Sequence, residues 1–214
     1  MVPEPTSKNT INFSFTVAKE GNVSGRVRIQ KTDYEALKFR KNYSGINKEK
    51  YVEALENEFS GIEIKNYQLE NETNLSSPIQ ETFDFVSSSH SEAIGDNLYV
   101  YPLLFFTPQK NPFHAERWVK PIYFGYPKQY KYSISIDVPE GYEIESVPKP
   151  ISIATGENVG MLKYNSQVLG NRIQIIVSFE INQMLVATDF YPLLKDFYKK
   201  IIEKQNERIV LKKV

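Results

Sequence analysis

Hydrophobic and polar positions alternate with a period of two from the start of the chain. Ile11, Phe13, Phe15 and Val17 fall on one side of an extended backbone and Asn12, Ser14 and Thr16 on the other, the signature of a half-buried strand. Glu20-Gly21-Asn22 supplies a turn, and Val23, Gly25, Val27 and Ile29 resume the alternation, so a β-hairpin is predicted. Residues 34–43 fit two states: Leu37 and Phe39 suit a strand, whereas Ala36, Leu37, Lys38 and Arg40 suit a short helix. Over 47–60 the period lengthens. Asn47 can cap, Tyr51, Val52, Leu55 and Phe59 form one stripe, and Ser60-Gly61 ends it, which predicts an amphipathic helix.

Further on, Ile62, Ile64, Tyr67 and Leu69 predict a strand with an irregularity, and Phe83 and Phe85 mark another beyond the Asn/Ser-rich loop 71–78. Residues 87–96 read as a surface loop. Leu98 to Phe106 is apolar on both faces and reads as a central strand, against which Pro102 counts. A clean alternation returns at Tyr130, Tyr132, Ile134, Ile136 and Val138, closed by the turn Pro139-Glu140-Gly141. Two more strands are predicted, over 159–168 and, after Gly170-Asn171, through Ile173, Ile175, Val177, Phe179 and Ile181. Phe190, Leu194, Phe197, Tyr198, Ile201 and Ile202 then recur at helical spacing, with Asp189 as the expected cap and Pro192 in the first turn; this gives a second helix over 189–205. Arg208 to Leu211 adds a last strand.

Many strands, two helices and no alternating βαβ order predict a mainly β chain: antiparallel β-sandwich, with helices at 47–60 and 189–205. Residues 1–9, with Pro3 and Pro5, read as a linker, and 10–214 as the sandwich region. That region is one unit or two closely packed subdomains, 10–110 and 111–214; no Gly/Ser-rich linker separates them.

Composition narrows the chemistry. The 214 residues carry 26 basic and 26 acidic side chains, so the totals give no basic footprint for nucleic acid. The longest apolar stretch, 98–106, is far short of the ~20 residues a membrane-spanning helix needs. There is no cysteine, which removes thiol nucleophiles, zinc knuckles and disulfides, and there are two histidines, His90 and His114. His90 stands in Ser87-Ser88-Ser89-His90-Ser91-Glu92, where a serine nucleophile can be imagined, but the run lacks a nucleophile-elbow pattern and reads as a solvated loop. His90, Glu92 and Asp96 match no metal-ligand spacing. No catalytic, cofactor or metal residue is therefore assigned.

The candidate binding patch is Phe113, His114, Arg117 and Trp118, which joins the single tryptophan to the residue types that binding surfaces favour. The competing expectation, given more weight, buries Trp118 between sheets and pairs Arg117 with an internal carboxylate.

The second half resembles a known family. Asn111-Pro112-Phe113 with Arg117, Pro121 and Phe124, then Val138-Pro139-Glu140-Gly141-Tyr142, Glu145 and Pro148-Lys149-Pro150, then Tyr191-Pro192, Leu194, Phe197-Tyr198, Ile201 and Lys204-Gln205-Asn206-Glu207 with Ile209-Val210-Leu211, are similar to the β-rich C-terminal region that follows the transglutaminase-like core in cell-envelope proteins of Bacteroidetes-type bacteria. The resemblance implies a periplasmic or cell-envelope location and an upstream core with a Cys-His-Asp triad as partner. This chain lacks that cysteine, so no catalytic residue carries over. The expected role is a non-catalytic accessory domain positioning that core; the alternative is a stand-alone module binding envelope glycans or peptides through the patch around Trp118.

Overall fold

The computed structural model describes residues 6–214. In chain order the elements are β1 (Ser7–Val17), β2 (Val23–Lys31), α1 (Asp33–Tyr43), α2 (Lys48–Glu58), β3 (Ile62–Glu70), β4 (Ile79–Ser87), β5 (Ser91–Ile94), β6 (Asn97–Val100), β7 (Ile122–Tyr123), β8 (Lys128–Asp137), β9 (Tyr142–Ser146), β10 (Ile151–Ala154), β11 (Gly160–Leu169), β12 (Arg172–Ile181), β13 (Leu185–Val186), α3 (Tyr191–Gln205) and β14 (Ile209–Lys213). Eight strands form the main sheet in the order β10, β11, β12, β8, β1, β2, β4, β3. A four-stranded sheet is ordered β5, β6, β14, β9, and β13 pairs with β7 as a short ribbon.

Every pair in the main sheet is antiparallel except β1 with β8, which run parallel from Ser7 opposite Lys128 to Thr16 opposite Asp137. Registers align the buried faces across strands: Ile175, Ile134, Phe13, Val27 and Phe83 form one row through five of them, all buried. The opposite face carries Asn12, Ser14, Arg26, Ser135 and Gln174. There Arg26 reaches Asp84 across strands at 2.6 Å, and Arg172 reaches Asp137 at 2.7 Å. The inner face is covered by α1, α2, α3 and the four-stranded sheet, whose Leu98, Val100, Ile209 and Leu211 join the same core. One strongly apolar face per sheet, closed by a second layer, is what the period-two pattern requires.

The helices follow from local chemistry. Asn47 caps α2, its Oδ1 accepting from the amides of Glu49 at 2.8 Å and Lys50 at 3.4 Å, and Tyr51 and Leu55 are the buried face. The ambiguous stretch 34–43 is helical, with Ala36 and Phe39 buried on β1. Helix α3 has Phe190 rather than Asp189 at its cap position, because Asp189 lies in a preceding single 3-10 turn, Thr188–Phe190.

Three expectations change. Residues 87–96, read as a surface loop, carry the end of β4 and all of β5, with Ser87 and Ser91 buried. Strand β1 starts at Ser7, inside the segment read as linker; residues 1–5 of that reading lie outside the described residues. The apolar run 98–106 is not one central strand. Strand β6 ends at Val100, Pro102 withholds a ladder donor, and Leu104–Phe106 form a 3-10 turn that plugs the space between the layers, with Leu103 and Leu104 buried. A doubly apolar run signals burial on all sides without choosing between strand and turn.

Gly25 sits in β2 opposite Phe15 and Phe85. A Cβ there would lie 2.2 Å from the Ser14 carbonyl oxygen and 2.7 Å from the Phe15 Cβ. Gly25→Ala is expected to destabilise the chain by about 1–3 kcal/mol through overpacking, measured by urea unfolding.

Candidate functional site

The segment that leads from the 3-10 turn to β8 is tied to α3 before it reaches the surface. The Asn111 Nδ2 donates to the Lys195 carbonyl at 2.9 Å, and its Oδ1 accepts from the Phe113 amide at 2.8 Å. The Ala115 carbonyl accepts from the Tyr191 hydroxyl at 2.8 Å and from the Lys195 ammonium at 3.0 Å. Phe113 turns inward, edge-on to Phe124, Tyr191 and Tyr198. Past Ala115 the chain lies on the outside.

Trp118 is therefore not between sheets. It is 44% exposed and stacks on buried Tyr191, with ring centroids 5.8 Å apart and planes 6° from parallel. Arg117 is exposed and makes no ion pair among the described residues. The expectation of a buried Trp118 and a paired Arg117 is thus corrected. Of the four candidate residues, Arg117 and Trp118 share an open groove of about 650 Å³ with Glu116, Val119, Asp189 and Tyr191, while His114 is exposed outside its lining. Nearby, Tyr123 and Leu185 face each other across the β7–β13 ribbon and are both exposed.

The structure brings Ser87 and His90 together, Oγ to Nδ1 at 2.6 Å, but as a brace. The Ser87 hydroxyl donates its proton to the Gly61 carbonyl at 2.7 Å and accepts from the Ser89 amide, so Nδ1 must be the donor toward it. A nucleophilic serine needs the reverse, an unprotonated ring nitrogen facing its hydroxyl, and Ser87 is buried. Burial holds the His90 imidazole below its ordinary pKa.

One polar centre escaped the sequence reading. Glu81, wholly buried, projects from β4 onto the inner face. It accepts from the hydroxyls of Tyr51 at 2.7 Å and Tyr67 at 3.1 Å and pairs with Lys31. Burial, and then the Glu81 charge, push both tyrosine pKa values up. Beside it Glu35 of α1, also buried, accepts from Tyr126 at 3.0 Å and Tyr130 at 3.2 Å. The signal was the phase of the alternation: Glu81 is in step with Phe83 and Phe85, Lys31 with Val27 and Ile29, and Asn9 with Ile11 and Phe13. Among the described residues, no group of three His, Asp or Glu side chains could hold a metal ion, and no helix is long and apolar enough to cross a membrane.

Residues 96–211 match the sequence profile of DUF3858, a domain of unknown function with a solved structure. No curated protein matches the chain. Among solved structures, that of a putative protease from Parabacteroides distasonis ATCC 8503 is similar at 11% identity and a TM-score of 0.40, over 46% of this chain and 19% of that one. So loose a likeness carries no argument, and this chain matches a small part of that protein's length.

Two outcomes follow from the buried groups. Glu81→Ala strands the Lys31 ammonium and two tyrosine hydroxyls, and is expected to cost about 3–5 kcal/mol in urea unfolding. His90, neutral in the fold, takes up a proton near pH 6.5 once unfolded. The stability it contributes is present above about pH 6.5 and is lost as pH falls toward its lowered folded value. Unfolding free energy measured between about pH 7 and 5 should therefore fall more steeply in the native chain than in His90→Gln.

Proposed function

The chain belongs to the DUF3858 family, whose activity is unassigned, and from that membership we propose that it is a non-catalytic accessory domain. In this reading the surface around Trp118 docks onto a transglutaminase-like core in the same polypeptide, in the periplasm or cell envelope. The observation that carries the proposal is the state of Trp118: exposed, yet fixed in orientation by the ring of buried Tyr191. A large aromatic held in place on a surface loses little entropy on association, and the 44% of Trp118 still exposed leaves roughly 100 Å² to be taken from water. It is the side chain most often found at the energetic centre of an interface. Val119 extends the exposed apolar surface, and Arg117, Glu116 and Asp189 give it a charged rim, the anatomy of a docking face. The same exposure favours one alternative, a glycan-binding module in which the indole stacks on a sugar ring.

Titration calorimetry of the chain with its transglutaminase-like core tests the first reading. Trp118→Ala is expected to weaken binding by about 2 kcal/mol, roughly 30-fold, while changing stability by no more than about 1 kcal/mol because the side chain is half-exposed. Equal affinity of the two forms, or amide-bond hydrolysis by the chain alone, contradicts it. Saturable quenching of Trp118 fluorescence by envelope glycan fragments, without binding to the core, favours the alternative.

A further inference from the structure

Along one line of the inner face the main sheet turns polar. Asn9 of β1 stands between Lys31 of β2 and Tyr130 of β8. One step along, Ile11 stands between Ile29 and Tyr132, with Glu81 beyond Ile29. Helix α1 places Glu35, Phe39 and Tyr43 over these rows, and α2 places Tyr51 and Leu55 there. Between helices and sheet remains a cavity of about 280 Å³ with Lys38, Asn42 and Glu58 exposed at its rim. That is room for about nine waters at ~30 Å³ each, or for one compact ligand near the small end of known binding pockets, ~300 Å³.

We propose that this cavity binds a small organic amine of amino-acid or amino-sugar size, its ammonium received by the Glu35 carboxylate. The hydrogen-bond accounting points there. Glu81 is fully engaged by Tyr51, Tyr67 and Lys31. Glu35 takes both tyrosine hydroxyls on one oxygen, Oε1, and its Oε2 has no partner among the described residues. The cavity thus presents one uncommitted carboxylate oxygen against the faces of Phe39, Tyr43, Phe106 and Tyr132.

The Lys31 ammonium, which could have met it, is committed to Glu81 and lies 5.0 Å over the Phe39 ring. Lys128, outside the lining, feels the Glu35 charge but forms no ion pair with it within 4.0 Å. The lining holds Glu35, Glu58 and Glu81 against Lys31 and Lys38, a net charge of −1. An anion would meet a carboxylate, and a hydrocarbon would strand its free oxygen away from water. An ammonium satisfies it, and aromatic faces stabilise the ammonium further.

The test uses the full chain at constant ionic strength, with amide NMR as the readout. Benzylamine and glucosamine are compared with benzyl alcohol, glucose and benzoate. Saturable shifts of α1, β1 and β8 amides are expected for at least one amine and for none of the others, and which amine binds distinguishes an amino sugar from other amines. Glu35→Gln, which keeps an oxygen for the tyrosines, should weaken binding about 10- to 100-fold. Glu58→Gln, at the exposed rim, takes one negative charge from the lining; it should weaken binding as well and serves if the first variant does not fold. Trp118→Ala should leave it unchanged, so this proposal and the docking reading can fail separately. Equal shifts from the neutral compounds, no saturable shift from either amine, unchanged binding by both variants, or shifts confined to the Trp118 groove would overturn the proposal.

Discussion

Strand β1 has two neighbours, one following it directly and one from the middle of the chain. On one side β2 returns from it by a tight turn and pairs antiparallel; on the other β8, reached only after the long excursion from Val17 to Lys128, pairs parallel over ten residues. This joint aligns the buried rows on its two sides, so that Phe13 sits between Val27 and Ile134, and Phe15 between Gly25 and Ile136. A slip of one residue would turn Asn12, Ser14 and Thr16 into the core and leave three large side chains in water. The second layer depends on the joint too. Helices α1 and α2 close the face supplied by β1, β2, β4 and β3, while α3 and β14 close the face continued by β8, β12 and β11, and all of them meet in one hydrophobic core.

Both proposed surfaces are consequences of this arrangement. The cavity lies where inward positions of four strands, β1, β2, β4 and β8, are polar rather than apolar, so the rows there cannot close dry against the helices above. The Trp118 groove lies at the far edge of α3, where Asn111 and Ala115 have already anchored the chain and the following residues have no inner face left to fill. Tyr191, on which Trp118 stacks, belongs to a small satellite core with Ile122, Val159, Val186 and Leu194. That core keeps the indole oriented without burying it. The family match, beginning at residue 96, takes in the groove, β8 and its neighbour β12 but not β1, the other strand that β8 pairs with.

Much of the fold was legible in the sequence where a single physical cause acted alone. Alternation located β1, β2, β8, β11 and β12, and capping chemistry located α2, because period and cap are local properties. Legibility failed where the outcome was set by distant partners. The parallel joint leaves no trace in the period, since a strand alternates identically whichever way its neighbour runs. The run 98–106 reads as a strand by hydropathy, yet Pro102 and the space between layers make half of it a turn. Trp118 illustrates the limit for the site: its residue type allowed both burial and exposure, and only the anchoring of Asn111 and Ala115 on α3 decided. Glu81, Glu35 and Asn9 were readable in principle, as polar residues on apolar phases, and that signal points to chemistry better than the His90 cluster did.

The central structural claim is that the chain is held as one unit through β1 and β8, although the family profile begins only at residue 96. The most direct measurement is near-UV circular dichroism and amide NMR of a fragment spanning residues 96–214. Without β1 to β4 and the first two helices, β8 becomes an open edge and the inner face loses much of its cover. The account predicts a fragment lacking fixed tertiary signals that regains them when mixed with residues 1–95. A fragment that folds alone, with dispersed amides and a cooperative transition close to that of the whole chain, would contradict it.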